Sequence, residues 1–160
     1  MLASAGKPAY DVVEALPWHL DHIAQHMRAA DREEVWASGR WSPPSALRAS
    51  AALSSMIRVG TVDGVPACVF GVSPASLLLG KGTPWLLGTD LVEAHAVAFL
   101  RRNKPVVAEM LARYPYLSNR VDARNIQSIR WLKWLGFTFY PAEPFGPDGR
   151  AFHLFDMRAP

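Results

Sequence analysis

The chain is nearly free of cysteine. Cys68 stands alone, which excludes an internal disulfide and suits a reducing compartment. It lies inside the apolar run Val65 to Val72, as a buried, inert thiol does. Charge is also sparse. Charged residues make up 19% of the chain, and 17 basic against 14 acidic residues leave a net charge of +3. A balance that mild does not by itself imply a nucleic-acid partner. No hydrophobic run reaches the ~18 residues of a membrane span, so no membrane association is expected. The opening residues, MLASAGKPAYD, lack a signal-peptide core, so a cytoplasmic location is expected. Internal repeats and low-complexity tracts are missing. A complete metal-ligand set is missing too. His19, His22 and His26 lie three and four apart, but neither a cysteine nor a clear carboxylate joins them. They read as a solvated histidine face.

What remains is enough for one globular domain. The chain has 160 residues, 50% of them hydrophobic, and a core of useful size follows. Residues 1–9 read as a loose end. Tyr10 to Leu16 reads as a strand. Pro17 opens a helix through Met27, as proline suits a first helical turn. Asp31 to Ser38 reads as a second helix, capped by Asp31, with Glu33 and Glu34 in its first turn. These two are either acceptor-site carboxylates or simply dipole-stabilised. Trp41 and Pro43-Pro44 form a break, and Ser45 opens a third helix.

The middle of the chain reads as strands. Met56 to Val62 and Val65 to Val72 flank Asp63-Gly64, a strong hairpin signal. Ser73 to Gly82 reads as a loop with an apolar patch at Leu77 to Leu79, and Thr83 to Thr89 as the next strand. Leu91 to Leu100 supplies a helical turn or two. A helix beginning at RRNKP, Arg101 to Pro105, then runs to Tyr114, where Pro115 stops it. Tyr116 to Val121 reads as a strand, and Phe137 to Tyr140 and Ala151 to Met157 as the last two.

The stretch with most information is NIQSIRWLKWLGF, Asn125 to Phe137. Asn125 can cap a helix, and Gly136 can end one in the left-handed conformation. Ile126, Ile129, Leu132 and Leu135 recur at three-residue steps on an apolar face. An Asn, a small residue three later, then Gly-Phe and a strand resemble the last helix of the GNAT N-acetyltransferase superfamily. Asn125, Ser128, Gly136 and Phe137 match in register. The resemblance implies an α/β fold over nearly the whole chain, with a central, mostly antiparallel sheet whose middle strands splay apart. Acetyl-CoA lies in that gap in the family. The splayed pair here would be Thr83–Thr89 and Tyr116–Val121.

Charge gathers at the same end of the chain. Between residues 101 and 133 stand eight basic residues against Glu109 and Asp122, a local net of +6. A helix start rich in basic residues can hold an anion. The pyrophosphate of coenzyme A, a nucleic-acid backbone and a solvated face all remain open at this point.

Two departures from the family are visible. The family's pyrophosphate loop carries glycines, whereas RRNKPV has none and Pro105 lacks an N–H. The position that often holds a general-acid tyrosine is Leu132. Within the family, REEVWASG, GVPACVFGV, TPWLLGTD, FLRRNKP, YPYLSNRVDARN and SIRWLKWLGFTF resemble GNAT-like proteins of short-tailed phages, described as internal virion protein A. The resemblance thus implies one of two functions. One is an acetyl-CoA-dependent N-acetyltransferase for a small-molecule or protein amine. The other is an inactive relative acting in virion structure or assembly through phage or host proteins, with Trp18, Trp36 and Trp41 as interface candidates. Nucleic acid is a distant third, since no reading motif accompanies the positive charge.

For the enzyme, the resemblance implies that backbone groups around Leu87 and Thr89 hold the pantetheine arm. Arg101, Arg102, Asn103 and Lys104 would hold the pyrophosphate. Asn125 would orient the cofactor or cap its helix. Asp90 ends its strand where a base could stand, or caps the next helix. Catalytic residues are otherwise unassigned, and no metal is implied.

Overall fold

The computed structural model describes residues 6–160, so only residues 6–9 of the expected loose end are in view. The last of these is tied to the β2–β3 turn: the Ala9 N–H donates to Asp63 Oδ1, and the Asp63 N–H donates to Ala9 O.

The chain order is β1 (Tyr10–Glu14), α1 (Pro17–Gln25), α2 (Ala29–Gly39), α3 (Pro43–Leu53), β2 (Met56–Val62), β3 (Val65–Ser76) and β4 (Lys81–Gly88). It continues as α4 (Asp90–Ala94), α5 (Ala96–Arg113), β5 (Tyr116–Asp122), α6 (Ile126–Leu135), β6 (Thr138–Phe139), β7 (Glu143–Phe145) and β8 (Arg150–Arg158). The strands form one sheet in the order β1-β2-β3-β4-β5-β8-β6, with β7 also on β8. Every pairing is antiparallel except β4 with β5. The fold is thus the expected mixed α/β arrangement around a mostly antiparallel sheet.

Local chemistry explains the boundaries. Asp63 and Gly64 both take positive φ, which a two-residue hairpin turn needs. Asn125 caps α6 through Oδ1, which accepts the Ser128 N–H, and Gly136 ends the helix at φ 104°. Pro43 and Pro44 open α3 rather than breaking the chain, because Ser42 is its cap and the first turn needs no proline N–H.

Side-chain alternation along the strands builds a core on each face. Ile23, Leu47, Val59 and Val69 pack beneath α1–α3. Phe70, Val72, Phe99, Met110, Leu117 and Trp131 pack beneath α5 and α6.

Several expectations shift. The loop over 73–82 shrinks to a tight turn, because β3 runs to Ser76 and β4 starts at Lys81. Its apolar patch is left at the tip, with Leu78 99% exposed. Arg28, not Asp31, precedes the first turn of α2, and Asp31 is buried. His19 is buried rather than solvated, and its Nδ1 accepts the Leu16 N–H at 2.9 Å. The helix expected to begin at Arg101 begins at Ala96 and runs straight through Pro105. Packing of Phe99, Val106 and Met110 into the core offsets the hydrogen bond that Pro105 cannot make.

Candidate active site

Strands β4 and β5 meet only at Lys81–Tyr116 and Gly82–Leu117. Beyond those two pairs they part, as the resemblance implied. Gly82 sits where they join, and a Cβ there would stand 2.7 Å from the Tyr114 ring.

The edge of β4 that faces the gap follows from register. The Thr89 N–H donates to Ala67 O, so odd-numbered residues of β4 bond to β3 and even-numbered ones face the gap. Leu87 and Thr89 therefore do not offer backbone groups to a ligand in the gap. The expectation falls one residue out of phase. Pro84, Leu86 and Gly88 hold those positions. Pro84 has no N–H, and its C=O accepts Asn119 Nδ2 at 2.8 Å. The Gly88 C=O accepts the Arg28 N–H. Leu86 presents its N–H and C=O to the gap.

Helix α2 closes the mouth of the gap with two carboxylates spaced i,i+3. Asp31 Oδ2 accepts the Gly88 N–H at 2.9 Å, on the β4 side. Glu34 Oε1 accepts the Asp122 N–H at 2.8 Å, on the β5 side. Three-residue spacing places both on one helical face, so one helix satisfies an N–H group on each diverging strand.

Arg28 ties this mouth together. Its Nε and Nη2 donate to the two oxygens of Asp31 at 2.9 and 2.7 Å. Nη1 donates to Glu93 on α4, and Nη2 also reaches Ser128 Oγ and Asn125 Oδ1 at the start of α6. The guanidinium lies 5.0 Å from the Trp131 ring centroid. Arg28 and Asp31 are both almost wholly buried, so each needs the other's charge. Burial pushes the Asp31 carboxyl up, while Arg28 and the Gly88 N–H pull it back.

Glu34 is different, because no cation pairs with it directly. Burial and the negative charges of Asp31 and Asp122 push its carboxyl up to about 8, against the Asp122 N–H and the Asn125 amide. Both of those donors fall on Oε1. The second oxygen is left for another partner. A carboxyl titrating near neutrality, at the edge of a cavity, can take or give a proton.

That cavity, about 230 Å³, runs through the gap from α2 to the α5–α6 layer. Glu34 and Trp85 line it on one side of the sheet, and Phe99, Val106, Trp131 and Leu132 on the other. Asn103 reaches it from α5. Its Oδ1 is buried and has no hydrogen-bond partner.

The residues expected to hold a pyrophosphate do not converge. In a helix each residue turns about 100° from the last. Arg101 and Arg102 flank a shallow depression at the start of α5 with Lys7 and His95, whereas Asn103 faces the inner cavity. Arg102 stacks on Tyr10, and Lys104 lies over Trp134. None of the four stands in the first turn. Asn125 is buried as a cap and as a partner of Arg28, Asp31 and Glu34. Asp90 is exposed, and Thr89 rather than Asp90 caps α4. Cys68 is buried, and burial pushes its thiol up to about 12. The described residues contain no cluster of three His, Cys, Asp or Glu with metal-binding geometry. No described helix is long and apolar enough to cross a membrane.

Arg28 carried no signal in the sequence. Only the i,i+3 steps from Arg28 to Asp31 to Glu34 hinted that three charged residues share one face.

No family model matches the chain, and no curated protein matches it. Solved structures do. An N-acetyltransferase from Staphylococcus aureus Mu50 aligns with a TM-score of 0.73 at 12% identity, covering 94% of this chain and 98% of that one. A ribosomal L7/L12 alpha-N-protein acetyltransferase in complex with coenzyme A aligns at 0.71 and 7% identity, covering 98% and 97%. A GCN5-related N-acetyltransferase from Kribbella flavida aligns at 0.66 and 15% identity, covering 94% and 98%. Over nearly its whole length, this chain has the fold of the GNAT acetyltransferases.

Proposed function

We propose that the protein is an N-acyltransferase that transfers an acyl group, acetyl from acetyl-CoA in the simplest case, to an amine. The observation that carries this reading is Glu34, poised near neutrality at the edge of a cavity that passes between β4 and β5.

Coenzyme A suits the residues present. The orphaned Asn103 Oδ1 matches an amide N–H of a pantetheine arm. Leu86 offers the backbone pair that such an arm can bond, as a neighbouring strand would. The first turn of α5 has no side-chain cap at His95, and Arg101 and Arg102, one turn further on, line the shallow depression beside it, which suits an anionic group. The cofactor, when bound, supplies a thioester carbonyl for an amine to attack.

The protein's own part is then short. Glu34 accepts the proton of an incoming ammonium, and its negative neighbours favour a cationic acceptor there. Asn125 and the Asp122 N–H fix the carboxyl. Leu132 offers no proton, so coenzyme A would leave as its thiolate, without an acid from that position. Calorimetry with acetyl-CoA tests the reading, followed by turnover on a panel of amines. Saturable binding is expected, retained in Glu34→Gln, with turnover reduced about a hundredfold as for loss of a general base. Failure to bind acetyl-CoA at millimolar concentration would sink it.

A second reading rests on a different observation. Trp18, Trp36 and Trp41, in or beside helices α1–α3, are 52%, 50% and 45% exposed. This supports a role in virion structure or assembly for a protein of a short-tailed phage made in the host cytoplasm. Mass spectrometry of purified particles and assembly intermediates tests it, and absence from both rejects it.

A further inference from the structure

The inner end of the cavity is more apolar than an amide-bearing cofactor arm requires. Its wall follows α5 from Ala96 to Met110. At 1.5 Å per residue that is about 21 Å. Helix α5 connects the end of β4 to the start of β5, so Ala96 lies at the open mouth and Met110 toward the join near Gly82. Asn103 stands midway.

The two halves differ chemically. Toward the mouth lie Leu86, with its backbone pair, and Asn103, with its orphaned oxygen. Toward the join the wall is Val106, Val107, Met110, Leu135, Phe137 and Phe155. Two of the polar groups near that end are already paired. The Pro84 C=O accepts Asn119 Nδ2, and Asn119 Oδ1 accepts the Arg120 N–H. An amide-bearing arm placed there would strand its own polar groups, which is costly away from water. A hydrocarbon chain would lose nothing and would bury apolar surface.

We infer that the inner half of this cavity is an acyl-chain pocket, and that the preferred donor is a coenzyme A thioester of a medium-length, saturated acyl chain rather than of acetate. This rests on the N-acyltransferase reading. Leu132 lines the same cavity, and a leucine there adds apolar surface where a tyrosine would add a hydroxyl.

Calorimetry on the full chain, with coenzyme A, acetyl-CoA, hexanoyl-CoA and octanoyl-CoA as probes, tests this. Tryptophan fluorescence, to which Trp85 and Trp131 in the cavity wall contribute, reports entry into the cavity. Octanoyl-CoA is expected to bind at least tenfold tighter than acetyl-CoA, with one-to-one stoichiometry and a blue shift of the tryptophan emission. Val107→Phe, and separately Leu135→Phe, would fill the inner half. Each is expected to bring octanoyl-CoA down to the affinity of acetyl-CoA while acetyl-CoA binding persists. Equal affinities for the two thioesters in the unaltered protein would overturn the acyl-chain pocket and leave the transferase reading standing. Binding of none of the four probes would overturn both. Tight octanoyl-CoA binding that both variants retain would place the chain elsewhere and overturn the pocket.

Discussion

Glu34 accepts the N–H of Asp122 at 2.8 Å, so a carboxyl from α2 caps the edge of β5 at the open end of the gap. That contact fixes the carboxyl without neutralising it. With its pKa near 8, Glu34 is mostly protonated at pH 7 in the folded protein.

A rate that depends on Glu34 as base should rise with pH through about 8. The same shift has a stability consequence. The carboxyl binds its proton more tightly folded than unfolded, so its contribution is fully present below about 4.5 and lost as pH rises through about 8. Stability should fall across that window by up to about 1.4 kcal/mol per pH unit from this group. Asp31, also raised, acts in the same direction. Urea denaturation from pH 5 to 9 should show the slope, and Glu34→Gln should flatten it. An unchanged slope in the variant would remove Glu34 as its source.

Arg28 holds four elements at once, and its side chain is 1% exposed. Arg28→Met should destabilise the protein by about 3–5 kcal/mol, because Asp31 would be left buried and unpaired. Adding Asp31→Asn should recover part of that loss, since the stranded charge goes. A double-mutant cycle in urea measures the coupling. If the two single losses simply add, the pair is not coupled.

Much of this arrangement was legible in the residues, and the rest was lost for identifiable reasons. The Asp63-Gly64 hairpin and the Asn125–Gly136 helix carry local turn and cap chemistry, and both stand as expected. The splay of β4 from β5 was placed by resemblance, since nothing in a strand's composition says which neighbour it leaves. The start of α5 was missed because Pro105 reads as a helix opening, while tertiary packing of Phe99 carries the helix through it. Leu87 and Thr89 missed by one residue because strand phase depends on pairing with β3. The Arg28 cluster joins residues nearly a hundred apart, Arg28 to Asn125 and Ser128, and no local pattern announces such a contact.

Cys68 offers a simple probe of cooperativity. It is fully buried beside Gly60 on the neighbouring strand, and its thiol is pushed up to about 12. A thiol reagent should leave it untouched at pH 8 in the folded state and label it fully in denaturant. Rapid labelling of the native protein would mean that β2 and β3 open locally, apart from global unfolding.

Gly82 stands where the gap begins. An added Cβ would lie 2.7 Å from Tyr114 and 2.9 Å from Val72 Cγ2. Gly82→Ala should therefore cost about 1–3 kcal/mol through overpacking. It should also push Tyr114 against its contact with Ser55 Oγ, 2.8 Å away. Thermal unfolding measures the cost, and an unchanged midpoint would show that the join tolerates a methyl group.

Asn103 separates stability from binding. Its Oδ1 is buried without a donor, a state that costs about 1–3 kcal/mol. Asn103→Leu keeps the side-chain volume similar and removes the unpaired group. The unliganded protein should become more stable by about 1 kcal/mol, read as a higher urea midpoint at constant slope. Coenzyme A binding should weaken several-fold in the same variant, because the arm loses its partner. A residue present only to fill the core would not set the two quantities against each other: tighter packing would leave binding unchanged, and disrupted packing would lower both. Opposite signs are what a residue kept for a ligand requires.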